Sequence, residues 1–162
     1  MCIRDRLTSE GGPTALPMNV GQQIGQGMEL EAWWDIDRHT QFYGAYSYQD
    51  NTDKTTNTDV GYGPHHLLFA RLQRRQKPWL FSVQARYVGK RDRRVEDPRP
   101  PAETYGFVDG LVRYEITPDF EVGFDVRNLF DLKAEDAGPG TVFPGDIPLS
   151  RRTYYFTVTS RF

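Results

Sequence analysis

Arg152-Thr153-Tyr154-Tyr155-Phe156-Thr157-Val158-Thr159-Ser160-Arg161-Phe162, the closing stretch of the chain, decides the fold. Tyr154, Phe156, Val158 and Phe162 share one parity, and Thr153, Thr157, Thr159 and Arg161 share the other. Successive side chains of a strand point to opposite faces, so this stretch reads as a strand with one apolar and one polar face. Soluble domains tend to end in loose polar tails. This chain ends on a patterned strand and an aromatic residue, and the rest of the sequence reads as a set of partners for it.

The same period recurs upstream. Met28, Leu30, Ala32, Trp34 and Ile36 alternate with Glu29, Glu31 and Asp35, while Trp33 interrupts the polar set. A helix would put Glu29, Trp33 and Ile36 on one side, mixing charge with aromatics, so the strand reading is preferred. Phe42, Gly44, Tyr46 and Tyr48 then alternate with Ala45, Ser47 and Gln49. His65 to Arg74 alternates more weakly. Trp79, Phe81, Val83, Ala85 and Tyr87 alternate with Ser82, Gln84 and Arg86; Val108, Gly110, Val112 and Tyr114 with Asp109, Arg113 and Glu115; Phe120, Val122, Phe124 and Val126 with Glu121, Gly123, Asp125 and Arg127. With the last stretch this makes about seven antiparallel strands of roughly ten residues.

Composition narrows the class. The net charge of −2 offers no basic field for nucleic acid. Aromatic residues make up 14% of a chain whose mean hydropathy is nevertheless low, which fits aromatics alternating with polar residues. No apolar run approaches the roughly 18 residues of a spanning helix, but barrel strands carry a much weaker hydropathy signal. A single cysteine, Cys2, allows neither an internal disulfide nor a cysteine metal cluster. Met1-Cys2-Ile3-Arg4-Asp5-Arg6 lacks the apolar segment of a signal peptide. It resembles translated sequencing-adapter sequence, and the chain is expected to be a C-terminal fragment. Residues 1–21 are therefore set apart as a poorly structured or artefactual N-terminal segment, with Leu7 to Gly27 reading as loop that runs into a strand near Gln22. Residues 22–162 form the structural unit.

The connections alternate short and long. Asp37 to Thr40, Gln76 to Pro78 and Thr117 to Asp119 are tight; Asp50 to Pro64, Gly89 to Thr104 and Asp131 to Ser150 are long and polar. Segregation of loop lengths is the habit of outer-membrane barrels, and ten tilted residues rise roughly 25 Å, the height of their apolar belt. Glu29, Glu31, Asp109, Arg113, Glu115, Asp125 and Arg127 would be costly between two packed sheets, and a wide barrel offers them a wet lumen. Tyr48, Trp79, Tyr87 and Tyr105, near strand ends, suit the interfacial girdles.

Gly27-Met28-Glu29-Leu30-Glu31-Ala32, Tyr46-Ser47-Tyr48, Arg86-Tyr87-Val88-Gly89, Asn128-Leu129-Phe130-Asp131 and the final Phe162, in this order and spacing, resemble the C-terminal barrel of TonB-dependent outer-membrane receptors. Asn128, Leu129, Phe130 and Asp131 are the most specific piece. Tyr154, Phe156, Val158 and Phe162 look like the signal read by the barrel assembly machinery. Ser160, in place of an apolar residue, and Ser150-Arg151-Arg152, in place of a Gly-Arg pair, depart slightly from the pattern. The resemblance implies an all-β fold: the last third of a 22-stranded transmembrane barrel, an open curved sheet if taken alone, in the outer membrane of a Gram-negative bacterium. It further implies energy-coupled uptake of siderophore-type iron chelates or another scarce nutrient. The partners would be outer-membrane lipid and lipopolysaccharide, and a TonB complex reached through an N-terminal plug part that lies outside this sequence. Neither enzymatic activity nor a resident cofactor is expected.

Candidate sites lie in the long connections. Arg86, Lys90, Arg91, Arg93, Arg94 and Arg99 form a basic cluster suited to an anionic ligand or to lipopolysaccharide phosphates, unless Asp92, Glu96 and Asp97 neutralise it. His65-His66 are strand neighbours that face apart and so share an ion with difficulty, and no metal site is expected. His39 reads as solvated. Asp50, Asn51, Asp53, Asn57 and Asp59 do not match an EF-hand spacing, and Gly25-Gln26-Gly27 precedes no helix, so neither is a motif of its kind. Two other architectures fit less well: a complete small barrel of about eight strands with a structural or adhesive role, and a soluble β-sandwich binding module.

Overall fold

The computed structural model describes residues 5–8, 16–19, 22–95, 97–138 and 144–161. Twelve strands are assigned among them. The long ones are β3 (Gln23–Asp37), β4 (Thr40–Asp53), β6 (His66–Gln76), β7 (Trp79–Val88), β8 (Tyr105–Thr117), β9 (Phe120–Arg127) and β12 (Thr153–Ser160). The short ones are β1 (Asp5–Thr8), β2 (Leu16–Asn19), β5 (Thr58–Asp59), β10 (Glu135–Asp136) and β11 (Ile147–Pro148). Phe162, the end of the expected assembly signal, lies outside the described residues, as does Glu96.

The seven long strands form one antiparallel meander in the order β12-β9-β8-β7-β6-β4-β3, with β5 attached to β4. Among the described residues its two outermost strands have one partner each: β3 pairs only β4, and β12 pairs only β9. The sheet is open. β1 and β2 pair with each other as a separate hairpin, so the stretch read as loop from Leu7 contains two short strands.

Register shows what the sheet is for. Residues directly opposite each other in an antiparallel pair share a face. Phe156 lies opposite Phe124, Phe124 opposite Val112, Val112 opposite Phe81, and Phe81 opposite Arg74. One row along, Val126, Gly110, Val83, Leu72, Phe42 and Trp34 continue the same face to the far edge. The opposite face carries Thr157, Gly123 and Arg113 in one row and Asp125, Leu111, Ser82 and Gln73 in another. Glu29, Glu31, Asp109, Arg113, Glu115, Asp125 and Arg127 all fall on this polar face, as their parity required.

Almost nothing is buried between layers. Leu80, Ala102 and Phe107 are the buried apolar residues among those described. Phe156 is 72% exposed, Trp34 64% and Leu30 56%. The chain exposes 11808 Å², against about 8,300 Å² for a compact soluble protein of its mass. A β-sandwich is excluded, because it would bury one face of each sheet. A continuous apolar band of this extent needs a non-aqueous medium.

One boundary and one girdle residue differ from the sequence reading. The polar stretch after Gln49 is not all loop: β4 runs on to Asp53, residues 54–57 turn, and β5 returns to pair Thr52 with Asp59. A polar strand that rises beyond an apolar belt keeps its backbone ladder but loses the alternation by which strands are read. Tyr105 does not join the girdle of Tyr48, Tyr87 and Trp79. It lies opposite Val88 on the polar face, and the guanidinium carbon of Arg91 sits 4.8 Å from its ring centroid.

Candidate functional site

The three long connections gather at one end of the sheet, and Asn128-Leu129-Phe130-Asp131 builds their base. β9 stops where Asn128 and Asp131 both take positive φ, 52° and 54°. Asn and Asp tolerate this left-handed conformation better than other residues with side chains. The Asp131 N–H donates to the Asn128 carbonyl at 2.9 Å and closes the turn. The Asn128 side chain, 4% exposed as a residue, then ties the two ends of the third connection together. Its Nδ2 donates to the Leu132 carbonyl at 2.8 Å and to the Ser150 carbonyl at 3.2 Å, and its Oδ1 accepts the Leu132 N–H at 2.9 Å. Asp131 accepts two bonds from Arg151, at 3.0 and 2.7 Å, and the Arg152 N–H at 2.9 Å. These bonds hold its carboxyl near a pKa of about 2, with the Arg151 hydrogen bond the largest cause. The motif is thus a clasp that delivers the chain into β12.

Above it the second and third connections are joined by charge. Arg91, whose side chain is 1% exposed, pairs with Asp136, donates to the Glu103 carbonyl and bridges by its backbone to Pro64 and Ala102. Arg93, 6% exposed, donates to both oxygens of Asp146 at 2.9 and 2.7 Å. Arg99 donates to both oxygens of Asp97 at 2.8 and 2.6 Å, to the Gly138 carbonyl and to Asp146. A buried guanidinium needs such pairing, and the planar fork suits two-oxygen recognition of a carboxylate. Arg99 holds Asp97 far below the usual carboxylate range, and Arg93 holds Asp146 below it.

The expected basic cluster therefore divides. Arg91, Arg93 and Arg99 are internal fasteners. Lys90 reaches Asp92 at 3.0 Å but is 60% exposed, and Arg86 reaches Asp109 at 3.6 Å and is 53% exposed. The Arg94 guanidinium lies 5.8 Å from the Tyr62 ring centroid. Beside it Gly61, at φ 82°, permits the close approach of two connections, since a Cβ there would stand 2.6 Å from the Arg94 nitrogen. The acids that neutralise the cluster include Asp136 and Asp146, which sequence reading overlooked. The signal was the acidic character of the third connection against the basic second one.

His65 and His66 go separate ways. His66 lies opposite Tyr48 on the apolar face and its Nδ1 is 2.8 Å from the Tyr46 hydroxyl. His65 Nε2 sits 3.1 Å from Asp59 and 3.5 Å from Asp92 among the long connections.

Comparison with known proteins follows this architecture. Residues 2–129 match the family described as TonB dependent receptor-like, beta-barrel. The metal-pseudopaline receptor CntO of Pseudomonas aeruginosa is 24% identical over 86% of this chain, which spans 22% of that protein. The ferric-catecholate import receptor Fiu of E. coli superposes with a TM-score of 0.75 at 22% identity, over 86% of this chain and 21% of its own. The pyoverdine receptor FpvA of Pseudomonas aeruginosa gives 0.77 at 20% identity, over 99% of this chain and 25% of its own. The chain thus spans about a fifth to a quarter of each relative. An open apolar-banded meander, loops gathered at one end and a match over most of the length agree: the chain belongs to the TonB-dependent receptor β-barrels, proteins of the Gram-negative outer membrane.

Proposed function

We propose that the chain is the C-terminal part of a 22-stranded receptor barrel that imports siderophore-type iron chelates or another scarce nutrient, by transport and not by catalysis. The observation that carries this reading is the pair of open sheet edges. β3 and β12 each present a row of backbone N–H and C=O groups, and in hydrocarbon such a row needs a neighbouring strand. The preceding barrel strand would cover β3, and the first barrel strand would close on β12. A complete eight-strand barrel is less well supported, because β1 and β2 pair with each other and not with the sheet. The relatives named for metal-pseudopaline, ferric-catecholate and pyoverdine point to metal chelates as the cargo class.

In this reading the long connections face outward, and the apolar band of Phe156, Phe124, Val112 and Phe81 faces lipid. The exposed cations Lys90, Arg94 and Arg86 meet an anionic ligand or lipopolysaccharide, while Arg91, Arg93 and Arg99 hold the connections in place. In this reading residues 22–162 are the barrel segment. TonB acts through a plug preceding this segment. Uptake of radiolabelled ferric chelates by cells carrying the whole receptor tests the proposal. Uptake should cease when residues 22–162 are deleted and when the proton-motive force is collapsed. Uptake that survives both treatments would overturn it.

A further inference from the structure

A cluster of metal-ligating side chains lies at the inner margin of the first long connection. Asp50 at the top of β4, Asp59 in β5 and His65 just before β6 each bring one ligand atom within 4.8 Å of the others. Asp92, from the second long connection, adds a fourth oxygen 3.5 Å from His65 Nε2. Asp50, Asp59 and His65 border the first long connection, and Asp92 comes from the second. None of the spacing patterns by which metal motifs are read applies to them. Asp53, the middle acid of the suspected loop, does not join: its Oδ1 accepts the Thr55 N–H at 2.7 Å and caps a turn instead.

We propose that Asp50, Asp59 and His65, with Asp92 completing the set, form a binding site for a divalent first-row transition ion of the zinc type. Three further features support it. The donor set combines an imidazole with carboxylates, which favours zinc and its neighbours over soft monovalent copper and over calcium, whose ligands are all oxygen. The groups are already oriented from outside the cluster. The Gly61 N–H donates to Asp59 Oδ1 at 2.6 Å and leaves Oδ2 toward His65, and Gln26 Nε2 donates to Asp50 Oδ2 at 3.2 Å. Such outer partners hold metal-binding carboxylates in place.

The backbone beneath them is also tied down. The Gln49 N–H donates to the His65 carbonyl at 3.0 Å, the Val60 N–H to the Asn51 carbonyl at 2.9 Å, and the Tyr62 N–H to the Asp92 carbonyl at 2.7 Å. A cleft of about 820 Å³ lined by Gln22, Asn51, Asp59, Tyr62 and His65 opens onto the cluster. Zinc–oxygen and zinc–nitrogen bonds near 2.1 Å put tetrahedral ligand atoms about 3.4 Å apart. The 3.1 and 3.5 Å separations around His65 Nε2 already bracket that distance. Binding displaces any proton on Nε2, which then gives its lone pair to the ion. Lys90, 3.0 Å from Asp92, is the cation that the ion would compete with.

The cluster would hold the ion whatever the receptor imports. Zinc chloride titrated calorimetrically into the intact, detergent-solubilised receptor tests it. The wild type should bind one more zinc ion than the Asp59→Asn and His65→Gln variants, or bind it at least tenfold more tightly. The double variant His39→Gln, His66→Gln should bind as the wild type does. Cobalt(II) absorption provides a second reading: the d–d bands of an imidazole–carboxylate site should appear in the wild type and be lost in Asp50→Asn. Heat-modifiable gel mobility identifies the variants that assemble as barrels, and only these are compared. Equal zinc binding by wild type and assembled variants, or calcium binding at this site in preference to zinc, would overturn the proposal. If every variant at the cluster fails to assemble, absence of the cobalt bands from the wild type overturns it and their presence supports it.

Discussion

Asp109 on β8 accepts the Asn128 N–H at 2.9 Å, so a buried acid of one strand terminates the next. Asp109 is 7% exposed and Asn128 4%. The same carboxylate accepts Gln84 Nε2 at 3.0 Å, and the bond set links β7, β8 and the clasp below the third connection. Asn128→Ala removes three side-chain hydrogen bonds and leaves a poor residue at φ 52°, at a cost of about 2–4 kcal/mol. Asn128→Gly recovers the conformational freedom but not the bonds, so it should fall between wild type and Ala. Thermal unfolding of the assembled receptor gives the ranking, and equal stability of Ala and Gly would argue against backbone strain at this position.

Asp146→Asn should release the second connection from the third. Arg93 would keep its bond to the Pro100 carbonyl and a 3.7 Å approach to Asp97 but lose a charged two-oxygen partner. Cleavage within Gly89 to Thr104 by a protease added to whole cells should quicken roughly tenfold or more. Lys90→Ala, which alters an exposed cation, should leave cleavage unchanged.

Acid should loosen the same end of the sheet. Asp97, Asp131 and Asp146 have folded pKa values below the ordinary carboxylate value, each lowered first by a hydrogen bond from an arginine. The folded state therefore binds protons less readily than the unfolded state, and stability falls as pH falls. For Asp131 the contribution is complete above its ordinary value of 3.8 and is lost as pH drops through about 2. Amide hydrogen exchange at Arg152 and Gly138, corrected for intrinsic rates, should show protection from pH 7 to 5 and its decline below pH 4.

Charge on the two faces should have unequal consequences. Val112→Lys, amid the apolar rows of Phe81 and Phe124, should cost about 2–4 kcal/mol if the band meets mid-bilayer hydrocarbon. Thr157→Lys, on the polar face opposite Gly123, should cost little. Outer-membrane levels of the intact receptor read this directly, and equal loss for both would refute the assignment of faces.

The terminal strand should act in assembly as well as in the sheet. Phe162→Ala in the intact receptor should lower its outer-membrane level, as should Phe156→Ala. An unchanged level for Phe162→Ala would count against recognition of this strand by the assembly machinery.

The sequence by itself determined the seven long strands, their antiparallel order and their two faces, but not the short strands β1, β2 and β5. A period of two survives wherever one face meets an apolar medium, so Phe156 and Phe124 announced their neighbours before any register was known. Resemblance to the receptor family marked Asn128-Leu129-Phe130-Asp131, and the structure then showed Asn128 and Asp131 in the left-handed conformation that Asn and Asp tolerate. The tertiary structure alone decided what the charged connections do. Arg93 meets Asp146 and His65 meets Asp92 only after loops from different hairpins converge above the sheet. Polar connections carry no periodicity, and pairing between distant residues leaves no mark on local spacing. The closing strand keeps the role its alternation suggested, and the register shows its apolar residues to be one end of a band that crosses every long strand to β3.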